Sequence, residues 1–171
     1  MPIDRPATLT VGGIVWKITG KPYQREARIE ALYQGQYAQC LREYPDILAA
    51  VMPELAQWYN VNAPRDTGAL QASVRINYLA RKPVVILGPR KGVRPAPPRK
   101  TTRPRRRGRP RLTAGFYALP ANKHSRKPGY IEDGLAFAAR QIVTLCRQHE
   151  QLEQQRLGVE NVFTRLGGGR R

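Results

Sequence analysis

The sequence predicts an α+β fold, with a long N-terminal helix and a C-terminal helix packed on a small antiparallel sheet. Three observations support this prediction. Apolar residues recur at helical spacing over residues 26–59 and 130–157. Apolar residues also alternate at strand spacing in shorter stretches, before residue 26 and between residues 59 and 130. A basic, proline-rich segment without apolar periodicity separates two predicted strands, so we expect it to form an extended arm inserted between them.

The chain begins with a predicted strand or hairpin extension, residues 1–25. Residues 8–19 read TLTVGGIVWKIT, which alternates enough for a strand, and Gly12 and Gly13 offer a turn or a bulge. The start of the chain contains no signal-peptide core, and no apolar run approaches the roughly 20 residues of a membrane span. We therefore expect a soluble protein with no membrane partner.

The main predicted domain, residues 26–150, opens with two helical stretches. The first runs from about Glu26 to Tyr44, because apolar residues recur there at helical spacing. The second begins at Pro45, which suits the first turn of a helix, and Pro53 within it predicts a kink. The apolar residues that define the two stretches are Ile29, Leu32, Tyr33, Tyr37, Cys40, Leu41 and Tyr44, then Ile47, Leu48, Val51, Met52, Leu55, Trp58 and Tyr59.

Short strands follow the second helix. Asp66 or Thr67 is placed to cap a short helical turn through its side-chain oxygen. Residues 74–78 then alternate in polarity, as a half-buried strand does, and PVVILG at 83–88 predicts a more apolar strand that ends at Gly88. LTAGFYALPA at 112–121 predicts a further strand. If the strands before and after residues 90–111 pair, the segment between them is an enlarged hairpin connection.

A long helix from Tyr130 to Leu157 completes the predicted domain, and Gly158 predicts its C-terminal stop. Residues 151–171 are therefore predicted to be the helix end and a basic C-terminal tail. The residues that line the apolar side of this helix are Ile131, Leu135, Ala138, Ala139, Ile142, Leu145, Cys146, His149 and Leu152.

Positive charge is concentrated in the middle of the chain. The protein has 30 Lys and Arg against 12 Asp and Glu, and residues 67–131 contain 17 of the basic residues and no acidic one. Such a segment is typical of an arm that contacts a polyanion or an acidic partner, and a purely solubilising arm is the alternative. We call residues 90–111 the basic arm; half of its 22 residues are charged, namely Arg90, Lys91, Arg94, Arg99, Lys100, Arg103, Arg105, Arg106, Arg107, Arg109 and Arg111.

Part of the basic arm resembles a DNA-binding motif. Residues 107–110, Arg-Gly-Arg-Pro, are similar to the core of the AT-hook, a narrow peptide whose arginines occupy the minor groove of A·T-rich DNA. Phosphate contact alone would also explain the composition, with DNA or with RNA. A DNA-binding protein that uses this arm is therefore an alternative function.

Patterns typical of enzymes are sparse. Residues 66–68, Asp-Thr-Gly, match the triplet of aspartic proteases, which need two carboxylates that share a proton. However, VVILG follows too soon to leave room for the flap of such an enzyme, so a protease is only a remote alternative.

His124 and His149 are far apart in the chain. Cys40 and Cys146 fit no metal-binding spacing and are expected to be buried free thiols, so we expect no catalytic residue, metal or cofactor.

The stretch APRDTGALQASV, residues 63–74, resembles a signature of tailed bacteriophages. It is similar to a segment of the neck family, small head–tail joining proteins that are also labelled minor tail or tail-completion proteins. In that family a long helix leads to Ala-Pro-x-Asp-Thr-Gly-x-Leu, followed by Ser and a β-branched residue. Gln71 departs from the basic residue that the family often has after Leu. The matching residues are Ala63, Pro64, Asp66, Thr67, Gly68, Leu70, Ser73 and Val74.

Further segments extend the resemblance over about residues 26–150. FYALPA and KPGYIEDGLAFAARQI are similar to the family's Tyr-Ala strand and to the start of its last helix. Gly129 is inserted where the family has adjacent Pro and aromatic residues, and the usual Glu-x-Gly after the Tyr-Ala strand is missing. The basic arm lies outside the family pattern, as an insertion between strands.

This resemblance implies structural work in the virion, at the head–tail interface, after assembly in the host cytoplasm. Family members form homo-oligomeric rings between the portal and head-closure proteins and the tail-terminator protein, around the channel through which DNA leaves. Residues 63–74 would then be a capped turn rather than a catalytic site. The basic arm would contact channel DNA or an acidic neighbouring protein. We favour the protein, because a lumen that binds DNA would hinder ejection.

Overall fold

The computed structural model describes residues 2–3, 5–20, 27–65, 69–79, 81–88 and 118–167, and it describes the side chains of the last helix as far as Gly158. Over these residues the chain forms five strands and five helices, which confirms the predicted α+β class. In chain order the elements are β1 (Ala7–Val11), β2 (Ile14–Thr19), β3 (Ala27–Gly35), α1 (Ala38–Glu43), α2 (Asp46–Asn62), α3 (Ala69–Ala72), β4 (Val74–Leu79), β5 (Lys82–Leu87), α4 (Ala118–His124) and α5 (Tyr130–Gly167).

The strands form an antiparallel sheet in the order β1-β2-β3-β5-β4. The predicted N-terminal hairpin is confirmed, because β1 pairs with β2 along its whole length. Gly12 and Gly13 form its two-residue turn with φ of 62° and 78°, and the type I′ hairpin turn requires positive φ at both positions. β2 also pairs with β3, so the hairpin is part of the main sheet.

Helices α2 and α5 cover the sheet and enclose the core. On β2, Ile14, Trp16 and Ile18 are buried, whereas Lys17 between them is exposed. Helix α2 contacts α5, β4 and β5, and α5 also contacts β1. The prediction of a helix that follows Pro45 is confirmed, since α2 begins at Asp46 and continues through Pro53.

The predicted helix from Glu26 to Tyr44 is wrong over most of its length. Residues 27–35 form β3, in which Ala27, Ile29 and Ala31 are buried and alternate with more exposed residues. Strand β3 is hydrogen-bonded to β2 on one side and to β5 on the other, so pairing within the sheet overrides a locally helical pattern. Helix begins only beyond Gly35, whose φ is 89° and whose Cβ would lie 2.7 Å from the Gly13 carbonyl oxygen.

The predicted strands before the basic arm are confirmed as β4 and β5, although Tyr78 near the end of β4 is 59% exposed. The strand predicted after the arm is wrong where the structure describes it. Residues 118–121 belong to α4, and residues 112–117 lie outside the described residues. Strand β5 pairs with β4 from Lys82 to Leu87 and with β3 at residues 85–87, so a strand from beyond the arm has no free edge along that half of β5.

Gly158 does not end the last helix, because α5 continues to Gly167. A glycine inside a helix costs only about 1 kcal/mol relative to alanine, and it ends a helix where the backbone turns left-handed. The predicted C-terminal tail is therefore helical as far as Gly167. We call residues 147–167 the helical extension. Its described side chains are mostly exposed, including Leu152 at 61% and Leu157 at 55%.

Candidate functional site

The signature segment connects the end of α2 to the start of β4. Ala63 and Leu70 are buried in the core, Pro64 is half-buried, and Val74 is the first residue of β4. The Ala63 N–H donates to the Tyr59 carbonyl at 2.9 Å and so closes the last turn of α2. Three other signature residues, Asp66, Thr67 and Gly68, lie outside the described residues, as does the cap predicted from Asp66 or Thr67.

Two polar side chains hold this connection together. Ser73 is only 1% exposed, and its N–H and its hydroxyl both donate to the Leu70 carbonyl, at 3.1 Å and 2.6 Å. The Gln71 side-chain amide donates to the carbonyls of Val61 and Ala63, at 3.0 Å each. The last carbonyls of a helix have no partner within the helix, so Gln71 caps α2. Gln71, which departs from the family pattern, therefore has a structural role in this chain.

All eleven charged residues of the basic arm lie outside the described residues. The structure describes the residues on either side of the longer undescribed stretch 89–117. Gly88 follows β5 and is buried. Ala118 begins α4, is 1% exposed, and accepts a 2.8 Å hydrogen bond from the Tyr130 hydroxyl. The two residues that flank the undescribed stretch 89–117 are therefore both buried.

The buried residue Asn122, in α4, links three segments of the chain by hydrogen bonds. The Asn122 amide nitrogen donates to the Ile3 carbonyl at 2.9 Å and to the Glu132 carboxylate at 2.8 Å. Its amide oxygen accepts the Ile131 N–H at 2.7 Å, one of the donors that the first turn of α5 cannot satisfy itself. Glu132 also accepts the Ile3 N–H at 2.6 Å. This network joins the N-terminal segment, α4 and the start of α5.

Two buried tyrosines act as hydrogen-bond donors. The Tyr59 hydroxyl donates to the Ile131 carbonyl at 2.7 Å, and the Tyr59 ring packs edge-on against Tyr130 at 6.1 Å. Burial, followed by Tyr130 and Glu132, raises the pKa of Tyr59 well above its usual value. Burial and Glu132 likewise raise the pKa of Tyr130. Both hydroxyls therefore keep their protons at neutral pH and serve packing.

The cysteines and histidines have surroundings that fit structural roles. Cys40 and Cys146 are buried free thiols, as predicted, and their side chains contact each other. Burial, with a hydrogen bond to Cys40, raises the pKa of Cys146 from 9.0 to about 12, so the thiol is neutral and unreactive. His149 stacks on Tyr44 at 4.3 Å, and His124 is exposed at the end of α4. Among the residues that the structure describes, no cluster of His, Cys, Asp or Glu could hold a metal ion.

Two open grooves run along α5. One, of about 350 Å³, lies between α1 and α5, where Tyr37 and Tyr44 are accompanied by the carboxylates of Glu43, Glu150 and Glu153. The Tyr44 hydroxyl hydrogen-bonds with Glu153; its pKa is raised by partial burial and then by that carboxylate. The acidic and aromatic lining gives this groove a chemistry that suits basic groups.

The second groove, of about 440 Å³, lies between α5 and the β1–β2 turn, and we call it the arginine groove. The turn fits closely against the helix, because a Cβ on Gly12 would lie 2.7 Å from the Ala139 Cβ. The groove has an apolar floor and two arginine side chains at its margin. Its main lining residues are Val11, Ala136, Ala139, Val143, Arg140 and Arg147.

Comparison of the chain with protein-family models, with curated proteins and with solved structures finds no match. No helix within the described ranges is long and apolar enough to cross a membrane. The neck family therefore enters only as a resemblance of sequence segments.

Three structurally important residues were not identified from the sequence. Asn122 and Gln71 act through partners that only the folded chain brings near. Gly134 lies in α5 where a Cβ would be 2.4 Å from the Tyr59 ring. A glycine within an otherwise amphipathic helix was the available signal, because such a glycine often marks close packing.

Proposed function

We propose that this chain is a non-enzymatic structural subunit of a bacteriophage neck ring, which joins the portal and head-closure proteins to the tail around the DNA channel. The observation that carries the proposal is the signature APRDTGALQASV. Its position between a long helix and a sheet agrees with this family, and so does the α+β architecture of the described residues.

The surroundings of the signature support a structural role. Ala63, Leu70 and Ser73 are buried, and the Gln71 and Ser73 side chains hydrogen-bond to nearby backbone carbonyls. Neither groove on α5 is lined by a signature residue. A packed connection of this kind is suited to setting the angle between α2 and the sheet, which a ring subunit must hold constant from copy to copy.

The basic arm supplies the proposed contact with neighbouring proteins. Eleven positive charges within 22 residues give weak but numerous attractions to an acidic surface. In a ring each subunit contributes one arm, so the contacts become multivalent and the whole assembly binds more tightly than a single arm. We favour an adjacent protein ring over DNA as the main partner.

Electron microscopy of phage particles tests this proposal. Particles made without the gene should show filled heads and separate tails, and supplying the full chain should restore joined particles. Immunogold labelling should place the protein at the neck. Normal joined particles in the absence of the gene would refute the proposal, as would absence of the protein from purified virions.

The Arg-Gly-Arg-Pro sequence at 107–110 favours one second candidate, a free DNA-binding protein. Affinities for A·T-rich and G·C-rich duplexes should then differ, and the preference should persist as salt is raised. Equal affinities that fall together with salt would leave only phosphate attraction. Arg107→Ala and Arg109→Ala, compared with Arg90→Ala and Arg99→Ala, would separate groove reading from total charge.

A further inference from the structure

The groove between α1 and α5 has the lining of a site for a peptide rich in proline and arginine, and we call it the aromatic–acidic groove. Tyr37 and Tyr44 line it and are only half-buried, so their rings offer apolar surface to a ligand. Aromatic-lined grooves bind proline-rich segments, and arginine side chains stack on aromatic rings. The other residues that line this groove of about 350 Å³ are Gln36, Gln39, Cys40, Glu43, Glu150, Glu153 and Gln154.

Three carboxylates give the aromatic–acidic groove its charge. Glu43 lies on α1, Glu150 and Glu153 lie on α5, and all three are exposed. Glu43 accepts a 2.9 Å hydrogen bond from Gln39, and Glu153 hydrogen-bonds with the Tyr44 hydroxyl. A carboxylate accepts several hydrogen bonds, so each of the three keeps acceptor sites for a guanidinium group. No basic residue is among the described residues that line the groove.

The basic arm contains a segment of matching composition. Residues 94–99 read Arg-Pro-Ala-Pro-Pro-Arg, in which two prolines three positions apart lie between two arginines. Residues at this spacing lie on one side of a polyproline II helix, which has three residues per turn. In that conformation the two arginines are about 16 Å apart along the helix. Such a segment binds at low entropic cost, because proline has already restricted its backbone.

The groove and the segment are complementary, and we propose that residues 94–99 of one copy bind the aromatic–acidic groove of a second copy. The prolines pack on the rings of Tyr37 and Tyr44, and the arginines pair with the carboxylates. This contact does not rest on the proposed neck function. It leaves the arginines of residues 103–111 for the adjacent protein ring.

The segment of the same copy stops short of the groove. Its first arginine follows Gly88 by six residues, which span about 19 Å as polyproline II. Gly88 follows the end of β5, which pairs with the start of β3, whereas the groove begins at Gln36, just beyond the far end of β3. The nine residues of β3, with the irregularity in their pairing with β2, span about 25 Å. The groove is therefore reached from a second copy.

The proposed contact is head-to-tail, because the segment and the groove are different surfaces of one subunit. Such a contact repeats from copy to copy and produces a closed ring or an open chain rather than a twofold dimer. Sedimentation of the native chain should therefore show species larger than a dimer.

A charge exchange tests the contact. The groove variant carries Glu43→Arg with Glu150→Arg, and the arm variant carries Arg94→Glu with Arg99→Glu. Each variant alone opposes like charges, so its self-association constant should fall at least about tenfold in sedimentation velocity. In an equimolar mixture the native arm of one variant meets the native groove of the other, so association should return. Both variants keep a large positive net charge, since the native chain carries +18, so net charge does not draw them together.

Two controls separate a bound segment from simple charge attraction. Arg106→Glu with Arg107→Glu makes the same charge change in the arm outside residues 94–99, and it should weaken association by less than about threefold. Pro95→Ala with Pro98→Ala leaves the charge unchanged and should weaken association by at least about threefold, because the backbone restriction is lost. Equal effects of the two arginine pairs, or no effect of the proline changes, would overturn the assignment.

Crosslinking shows which copy supplies the segment. Benzoylphenylalanine at the exposed position of Gln39 should crosslink to residues 94–99, and a mixture of isotope-labelled and unlabelled chains should give labelled–unlabelled products. Circular dichroism checks that every variant is folded. Crosslinks confined to single chains would overturn the proposal. So would a native chain that is monomeric at tens of micromolar, or a mixture of groove and arm variants that stays monomeric.

Phage particles separate this inference from the neck proposal. If the mixture of variants associates but the protein is absent from virions, the contact between copies stands and the neck function fails. If the protein is found at the neck but the mixture of variants stays monomeric, the neck function stands and this contact fails.

Discussion

Replacing Gly134 with alanine should destabilise the protein, although the same change in an exposed helix is stabilising. A Cβ at this position would lie 2.4 Å from Cζ, 2.5 Å from Cε1 and 2.6 Å from Oη of Tyr59. These atoms belong to a fully buried ring that is fixed by its hydrogen bond to the Ile131 carbonyl. The ring must therefore move, and its hydroxyl loses that partner.

The magnitude follows from three contributions to the free energy of unfolding. Alanine gains about 1 kcal/mol over glycine in a helix interior. Overpacking of a well-packed core costs about 1–3 kcal/mol, and a buried hydroxyl without its partner costs about 1–3 kcal/mol. The net destabilisation is about 1–5 kcal/mol. The matched control is Gly158→Ala in the same helix, where a Cβ meets nothing within 4 Å, and it should stabilise by about 1 kcal/mol.

Urea unfolding at one fixed protein concentration measures both variants. With a slope of about 2 kcal/mol/M, a net loss of 3 kcal/mol lowers the midpoint by about 1.5 M. Gly158→Ala should raise the midpoint slightly. If Gly134→Ala were as stable as the native protein, the close packing of α5 against Tyr59 would be refuted. If both variants were destabilised equally, the cause would not be the Tyr59 contact.

Three further predictions concern the polar and ionisable groups of the core. Ser73→Ala should lower the free energy of unfolding by only about 1 kcal/mol in urea, because the Leu70 carbonyl keeps the residue-73 N–H; a loss above about 3 kcal/mol would contradict this. Asn122→Ala should cost about 2–5 kcal/mol, because it leaves the Ile131 N–H buried without its acceptor, and an unchanged midpoint would show that the network is unimportant. The pKa of Cys146 is raised from 9.0 to about 12, so between those pH values the folded state holds a proton that the unfolded state has lost. Its contribution to stability is complete below pH 9 and is lost as pH rises towards 12. Across this range the free energy of unfolding should therefore fall less steeply with pH for Cys146→Val than for the native chain, and equal slopes would contradict this.

The sequence predicted those elements whose pattern is local and unambiguous. The hairpin around Gly12 and Gly13, the apolar strand β5 and the buried side of α5 were all evident from spacing. The error at residues 26–44 had a physical cause: Ile29, Leu32 and Tyr33 fit a helix, whereas the strand pattern depended on the small residues Ala27 and Ala31. Only pairing with β2, the preceding strand, and with the distant strand β5 selects the strand conformation.

The candidate site was likewise predicted only in part from the sequence. The signature could be recognised from residues 63–74 alone, and Leu70 and Ser73 proved to be buried. The capping role of Gln71 depends on the end of α2 being folded beside it, and that of Asn122 depends on three separate segments.

Residues 89–117 join two buried positions of the described fold, Gly88 and Ala118. Gly88 and Ala118 are both buried, and Ala118 accepts the hydrogen bond of the Tyr130 hydroxyl. The entropy of closing a flexible loop rises only slowly with its length, so inserts of different lengths between two fixed positions differ little in this cost. Arms of other lengths, charges or binding sequences could therefore be exchanged at this point. Under the proposed function, such an exchange would change the partner while the described scaffold remains the same.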